Sequence, residues 1–184
     1  MDLGFTRNNM TNYLIIPGLG NSGPEHWQTF FEESGSHFYR VEQQEWDSPD
    51  CEDWVETIDQ HIRKFDPATV VLIGHSLGCT TIAHWAARNQ APIKGALLVA
   101  PSDIEQPVYT FPATGFAPIP LLKLPFPSIV VASEDDPWVS LERAKFFASK
   151  WGSSFVNIGE AGHINVPSGY GPWEEGLTIL EQFN

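Results

Sequence analysis

Short runs of β-branched and aliphatic residues alternate with longer stretches of helical period along this chain, and that alternation constrains its fold more than any other feature. The runs are Tyr13 to Ile16, Phe38 to Glu42, Thr69 to Gly74, Gly95 to Ala100, Ser128 to Ser133 and Ser154 to Ile158. Helical patterns fall at Glu25 to Glu33, Glu52 to Phe65, Leu77 to Asn89, Leu141 to Trp151 and Trp173 to Phe183. Such alternation marks βαβ units, whose crossovers make successive strands parallel. Val70 to Ile73 and Ile129 to Val131 are apolar without alternation, as central strands covered on both faces must be. Trp54, Ile58, Ile62 and Phe65 trace one buried helix face. Met10 precedes the first run, so residues 1–10 read as a frayed N-terminal extension and residues 11–184 as a single α/β domain.

Composition narrows the partners. Of 184 residues, 42% are hydrophobic and 12% aromatic, enough for a packed core without metal or disulfide support. Ten basic against 23 acidic side chains leave a net charge of −13, which repels phosphate backbones and anionic headgroups and argues against nucleic acid and membrane surfaces as partners. Two cysteines, Cys51 and Cys79, are too far apart for a CxxC pair. The N-terminus lacks the apolar run of a signal peptide, and a cytoplasmic setting is the expectation. His26, His61 and His84 lie in helical patterns, His37 precedes a strand, and no HExxH or EF-hand loop occurs, so no metal is expected.

Two glycine clusters carry the chemistry. Gly18, Gly20 and Gly23 form a GxGxxG after the first strand, with Glu42 closing the next strand, which admits a dinucleotide-binding reading. Gly74-His75-Ser76-Leu77-Gly78 is a GxSxG between a strand and a helix. There a serine on a sharp turn needs small neighbours and presents its hydroxyl above the sheet. A plain serine N-cap with packing glycines is the alternative.

A serine hydroxyl needs a base, and the base needs a carboxylate behind it. Asp136 follows the strand Ser128 to Ser133, and His163 lies in the polar loop after the last strand. The order Ser, Asp, His along the chain is that of α/β hydrolases. Asp135 is the neighbouring alternative acid, and Asp103 a more distant one. This reading also absorbs the first cluster, because an oxyanion needs two amide donors, for which Leu77 and Leu19 are the candidates. No cofactor is then required.

The segments PGLGNSGPEHW (Pro17 to Trp27), GHSLG (Gly74 to Gly78), SEDDPW (Ser133 to Trp138) and GHINVPSGYGPWEEG (Gly162 to Gly176) resemble the small serine hydrolase family that includes retinoblastoma-binding protein nine and its bacterial relatives. The likeness runs from about Thr11 to the C-terminus. It implies a three-layer α/β-hydrolase-like fold without a cap domain, Ser76 as nucleophile, Asp136 as acid, His163 as base, and hydrolysis of ester or amide bonds. Larger relatives usually carry His-Gly where this chain has Pro17-Gly18. About six strands in the order 2-1-3-4-5-6, with helices on both faces, are expected.

Pro101 to Pro127 holds seven of the 15 prolines and no regular period, as expected of a binding loop or lid, with simple cover of the sheet edge as the alternative. Trp138, Tyr109, Phe111 and Phe116 are candidate pocket residues for a small ester or amide substrate. Glu25, Glu134 and Asp135 flank the expected mouth and disfavour polyanionic acyl groups. A protein partner on a catalytically idle scaffold is the remaining alternative.

Overall fold

The computed structural model describes residues 10–184; the extension expected at residues 1–10 lies outside them except for Met10, which is exposed. Six strands, β1 (Asn12–Ile16), β2 (Phe38–Arg40), β3 (Val70–His75), β4 (Gly95–Val99), β5 (Ser128–Ala132) and β6 (Ser154–Asn157), pair in parallel in the order β2-β1-β3-β4-β5-β6. Five α-helices accompany them: α1 (Trp27–Glu33), α2 (Cys51–Ile62), α3 (Leu77–Asn89), α4 (Leu141–Trp151) and α5 (Glu174–Leu180). The expected order is the observed one. Element ends differ by one to three residues; β2 stops at Arg40, leaving Glu42 in an exposed connection, and Trp173 caps α5 instead of entering it.

Side chains alternate across the sheet and divide the core in two. Leu14, Ile16, Val70, Leu72, Ala96, Leu98, Val130 and Ala132 face α2, α3 and α4. Tyr13, Ile15, Val71, Ile73, Leu97, Val99, Ile129 and Val131 face α1 and α5, where Trp27, Phe31, Trp173 and Leu180 complete the layer. Both sides of the central strands are dry, hence their unbroken apolar runs. Local chemistry sets the helix limits. Asp50 accepts from the amides of Glu52 and Asp53 to open α2, Ser140 accepts from the Arg143 amide to open α4, and Gly152 closes α4 in the left-handed region at φ 70°.

At the centre, α3 leaves β3 so abruptly that β1 nearly touches it. A Cβ on Gly78 would collide with the carbonyl oxygens of Ile16 and Pro17, and one on Gly18 would lie 2.8 Å from Ser76 Cβ. Backbone carbonyls cannot rotate aside as a side chain can. Gly78→Ala should therefore cost about 3 kcal/mol, the upper end of overpacking penalties. A Cβ on Gly23 meets nothing within 4 Å. Gly23→Ala should leave the unfolding free energy within about 0.5 kcal/mol of wild type or raise it slightly, as read from urea denaturation. Equal midpoints for the two variants would contradict the close approach of β1 to α3.

Residues 101–127 contain no helix, and their one β-bridge, Asp50 with Thr114, ties them to the start of α2. The first half of the loop stands over the carboxyl ends of the strands. The second half turns inward, burying Phe116, Ile119, Leu124 and Phe126 in the α2, α3 and α4 layer. No described helix is long and apolar enough to cross a membrane.

Candidate active site

Ser76 adopts φ 56° and ψ −123°, a region that side chains other than hydrogen avoid. Three contacts hold it there. Its amide donates to Val99 O at 3.0 Å, its carbonyl accepts from the Cys79 amide at 3.0 Å, and Gly74 and Gly78 leave space for the turn. The side chain makes no helix-cap hydrogen bond, so the N-cap alternative does not describe it. The hydroxyl points outward, 2.9 Å from His163 Nε2.

His163 Nδ1 lies 2.9 and 3.0 Å from the two carboxylate oxygens of Asp136. The Asp136 carboxylate is fully buried and also accepts the Trp138 amide at 2.8 Å, which aims it across the gap between the β5 and β6 loops. Asp135 faces elsewhere. One of its oxygens accepts from Ser133 Oγ and from the Gly162 amide, both at 2.7 Å, and these bonds hold its carboxyl below the usual carboxylate range. It ties the β5 loop to the β6 loop. Asp103 is engaged with Arg143 Nε at 3.0 Å. Ser76, His163 and Asp136 thus form one hydrogen-bonded row, with neither Asp135 nor Asp103 in it.

The backbone of His163 is anchored on both sides, its amide donating to Ser168 Oγ at 3.1 Å and its carbonyl accepting from His75 Nε2 at 2.9 Å. That last bond was not legible in the motif, where position 75 is the variable one. Burial in an apolar layer drives His75 well below the ordinary histidine range, and His163 and His26 push it in the same direction. His26 is lowered to about 4, by burial first and then by Arg40 and His163. Both rings are therefore neutral in the folded protein but charge normally once unfolded. Between the unfolded value near 6.5 and about 4 the unfolded chain binds more protons, so stability present above 6.5 is lost as pH falls through that window. His26 alone should account for about 3 kcal/mol of it. Urea denaturation from pH 7 to 4 measures the slope, and His26→Asn, which keeps a capping acceptor, should flatten it.

The first glycine cluster serves the same site. Gly20 donates its amide to Trp46 O at 2.8 Å, and Asn21, at φ 64°, donates its own to Gly18 O. Arg40, 8% exposed, donates to Asn21 Oδ1 at 2.8 Å and Ser22 O at 2.9 Å, while Gln28 Nε2 bridges the ends of β1 and β3 at Ile16 O and Ile73 O. The turn is rigid, and it delivers Leu19 to the wall of the site beside Ser76. The Leu77 amide lies 3.2 Å from where a Gly18 Cβ would be, which places the two candidate donors on adjoining turns. Among the described residues neither amide has an internal hydrogen-bond acceptor. The dinucleotide reading is not supported by this geometry. The Gly20 amide is taken, Gly23 packs nothing, and α1 is a seven-residue helix starting only at Trp27.

A cavity of about 230 Å³ opens over Ser76. Tyr109, Phe111 and Trp138 wall one side, their rings edge-to-face at 5.0 to 6.3 Å between centroids. Phe116, expected in the pocket, is instead fully buried against Trp54 and His84, because His84 Nε2 binds its carbonyl at 2.8 Å and turns the ring into the core. Ser102 and Asn165 also line the cavity, and the sequence reading passed over both. Ser102 follows the end of β4, beside the elbow strand, and that position is the signal that would have found it.

A parallel sheet in this order, with a serine on a left-handed turn after β3 and a histidine beyond β6, defines an α/β hydrolase. The chain belongs to the serine hydrolase family, whose profile matches residues 13–182. A structure from Pectobacterium atrosepticum described as a YdeN-like hydrolase is 36% identical, with a TM-score of 0.84 over 95% of this chain and 90% of that one. The ydeN gene product of Bacillus subtilis shares 20% identity and a TM-score of 0.81 over 95% of this chain and 98% of its own. The RedJ thioesterase of Streptomyces coelicolor, 14% identical with a TM-score of 0.62 over 95% and 90% of the two chains, shares the fold. No match is found among curated proteins.

Proposed function

We propose that this hydrolase cleaves small, uncharged esters or amides through an acyl-enzyme on Ser76. The observation that carries the reading is the unbroken row from Ser76 Oγ through His163 to the buried Asp136, with every link between 2.9 and 3.0 Å. Ser76 Oγ attacks the carbonyl carbon as His163 Nε2 takes its proton. Asp136 holds the Nδ1 proton and stabilises the imidazolium. The amides of Leu19 and Leu77 receive the oxyanion, the leaving group departs with the proton from Nε2, and water then attacks the acyl carbon by the same path in reverse. A cavity of about 230 Å³, whose aromatic wall carries no charged group, favours a compact neutral acyl portion.

A fluorophosphonate probe tests the assignment, since it reacts only with an activated nucleophile. Peptide mass spectrometry of the labelled native protein should find the adduct on Ser76. An adduct on another residue would overturn the reading.

A further inference from the structure

Among the described residues the Ser76 hydroxyl has two hydrogen-bond partners. His163 Nε2 is 2.9 Å away, and Ser102 Oγ is closer still at 2.7 Å. Ser102 is 1% exposed, its carbonyl accepts from Thr80 Oγ1 at 3.4 Å, and among the described residues its hydroxyl has no partner but Ser76. The next residue is pinned too, since the Asp103 amide donates to Trp138 O at 2.9 Å. Ser102 is thus held against the reacting oxygen from both sides.

Proton counting sets the direction of that bond. His163 Nδ1 faces only carboxylate oxygens, so the neutral ring carries its proton there and Nε2 is an acceptor. Ser76 has one proton and gives it to Nε2. The short contact with Ser102 must then run the other way, with Ser102 donating to Ser76 Oγ.

We infer that Ser102 is a further catalytic residue, whose hydroxyl orients the Ser76 proton toward His163 and stabilises the charge that crosses Ser76 Oγ during attack; this rests on the reading of Ser76 as nucleophile. As the bond from Oγ to the acyl carbon forms and the proton passes to Nε2, Oγ carries partial negative charge. A hydrogen bond to a charged acceptor is roughly twice as strong as one to a neutral acceptor, so the bond strengthens on the way to the transition state. In the acyl-enzyme Oγ is an ester oxygen and a poor acceptor. With an aryl ester, whose leaving group departs readily, acylation is limited by attack of Oγ and deacylation by attack of water. Only the first moves charge through Oγ, and Ser102 therefore acts on acylation.

Stopped-flow hydrolysis of p-nitrophenyl acetate separates the two steps. Ser102→Ala should slow acylation about 10- to 100-fold, the range for a hydrogen bond to a charged group, and leave deacylation within about 3-fold. Ser102→Thr, which keeps the hydroxyl, should regain most of the acylation rate. Should Ser102→Ala fail to fold, Ser102→Cys, with its weak donor, reads the same split. Unchanged acylation, or equal slowing of both steps as a general loosening of the site would give, overturns the role of Ser102. Parallel fluorophosphonate labelling keeps the two readings apart. A wild-type protein that does not label at Ser76 overturns the nucleophile itself, whereas labelling at Ser76 with acylation undisturbed in Ser102→Ala overturns Ser102 alone.

Discussion

Ser76→Ala should abolish fluorophosphonate labelling and lower kcat for aryl ester hydrolysis by about 10⁵-fold or more, the scale on which removal of an activated serine acts. The fold should persist. Alanine bears the same Cβ in the same φ 56° turn, so the elbow is no more strained than before, and the amide bond to Val99 O is untouched. The lost hydroxyl leaves a gap at an open cavity that water fills. His163→Ala should be nearly as damaging, and the double variant should be no worse than the poorer single one, because nucleophile and base act as one unit. Initial rates on a p-nitrophenyl ester, with thermal melts to confirm folding, measure both points. Additive losses would mean that the two side chains work separately.

Asp136→Asn should cost about 10⁴-fold in kcat, while Asp135→Asn should cost less than about 10-fold, although the two acids are adjacent. Asp136 presents both oxygens to His163 Nδ1, and an asparagine there offers an amide in place of one of them, favouring the tautomer with the proton on Nε2. That tautomer cannot accept from Ser76. At 135 an asparagine oxygen still accepts from Ser133 and Gly162, so the junction between the two loops survives with weaker bonds. Charge alone does not separate these substitutions, since each removes one negative charge. The reverse ranking would move the triad acid one position toward the N-terminus.

Much of this site was legible in the sequence because its parts act over short distances. The glycines of GHSLG flank a turn that only small residues permit, and their cost is visible at Gly74 and Gly78, where any Cβ would meet Ile82 and Cys79 or the β1 carbonyls. His163 and Asp136 could be placed because strand ends in a parallel sheet converge on one edge. Phe116 was misplaced for the opposite reason. An aromatic residue in a proline-rich loop looks the same whether it walls a cavity or plugs a core. The outcome was decided by His84, 32 residues upstream, and by the Thr114 amide bond to Pro49 O, which pulls the chain down onto α2. The roles of Ser102 and His75 are not legible in the sequence, because Ser102 belongs to no spacing rule and His75 fills the variable position of one. Each matters through a partner 26 and 88 residues away respectively.

By itself, then, the sequence determined the alternating architecture and picked out Ser76, His163 and the acidic run Glu134 to Asp136 as candidates at strand ends, since strand period, helix period and turn sterics are properties of a few consecutive residues. Tertiary structure alone decided which of two adjacent aspartates faces the histidine, which loop aromatics wall the cavity, and that a second serine stands 2.7 Å from the first. Those outcomes depend on the relative placement of strand ends far apart in the chain. A hydrogen bond gained or lost there turns on a few tenths of an ångström, a margin that packing of the whole domain controls and local pattern does not.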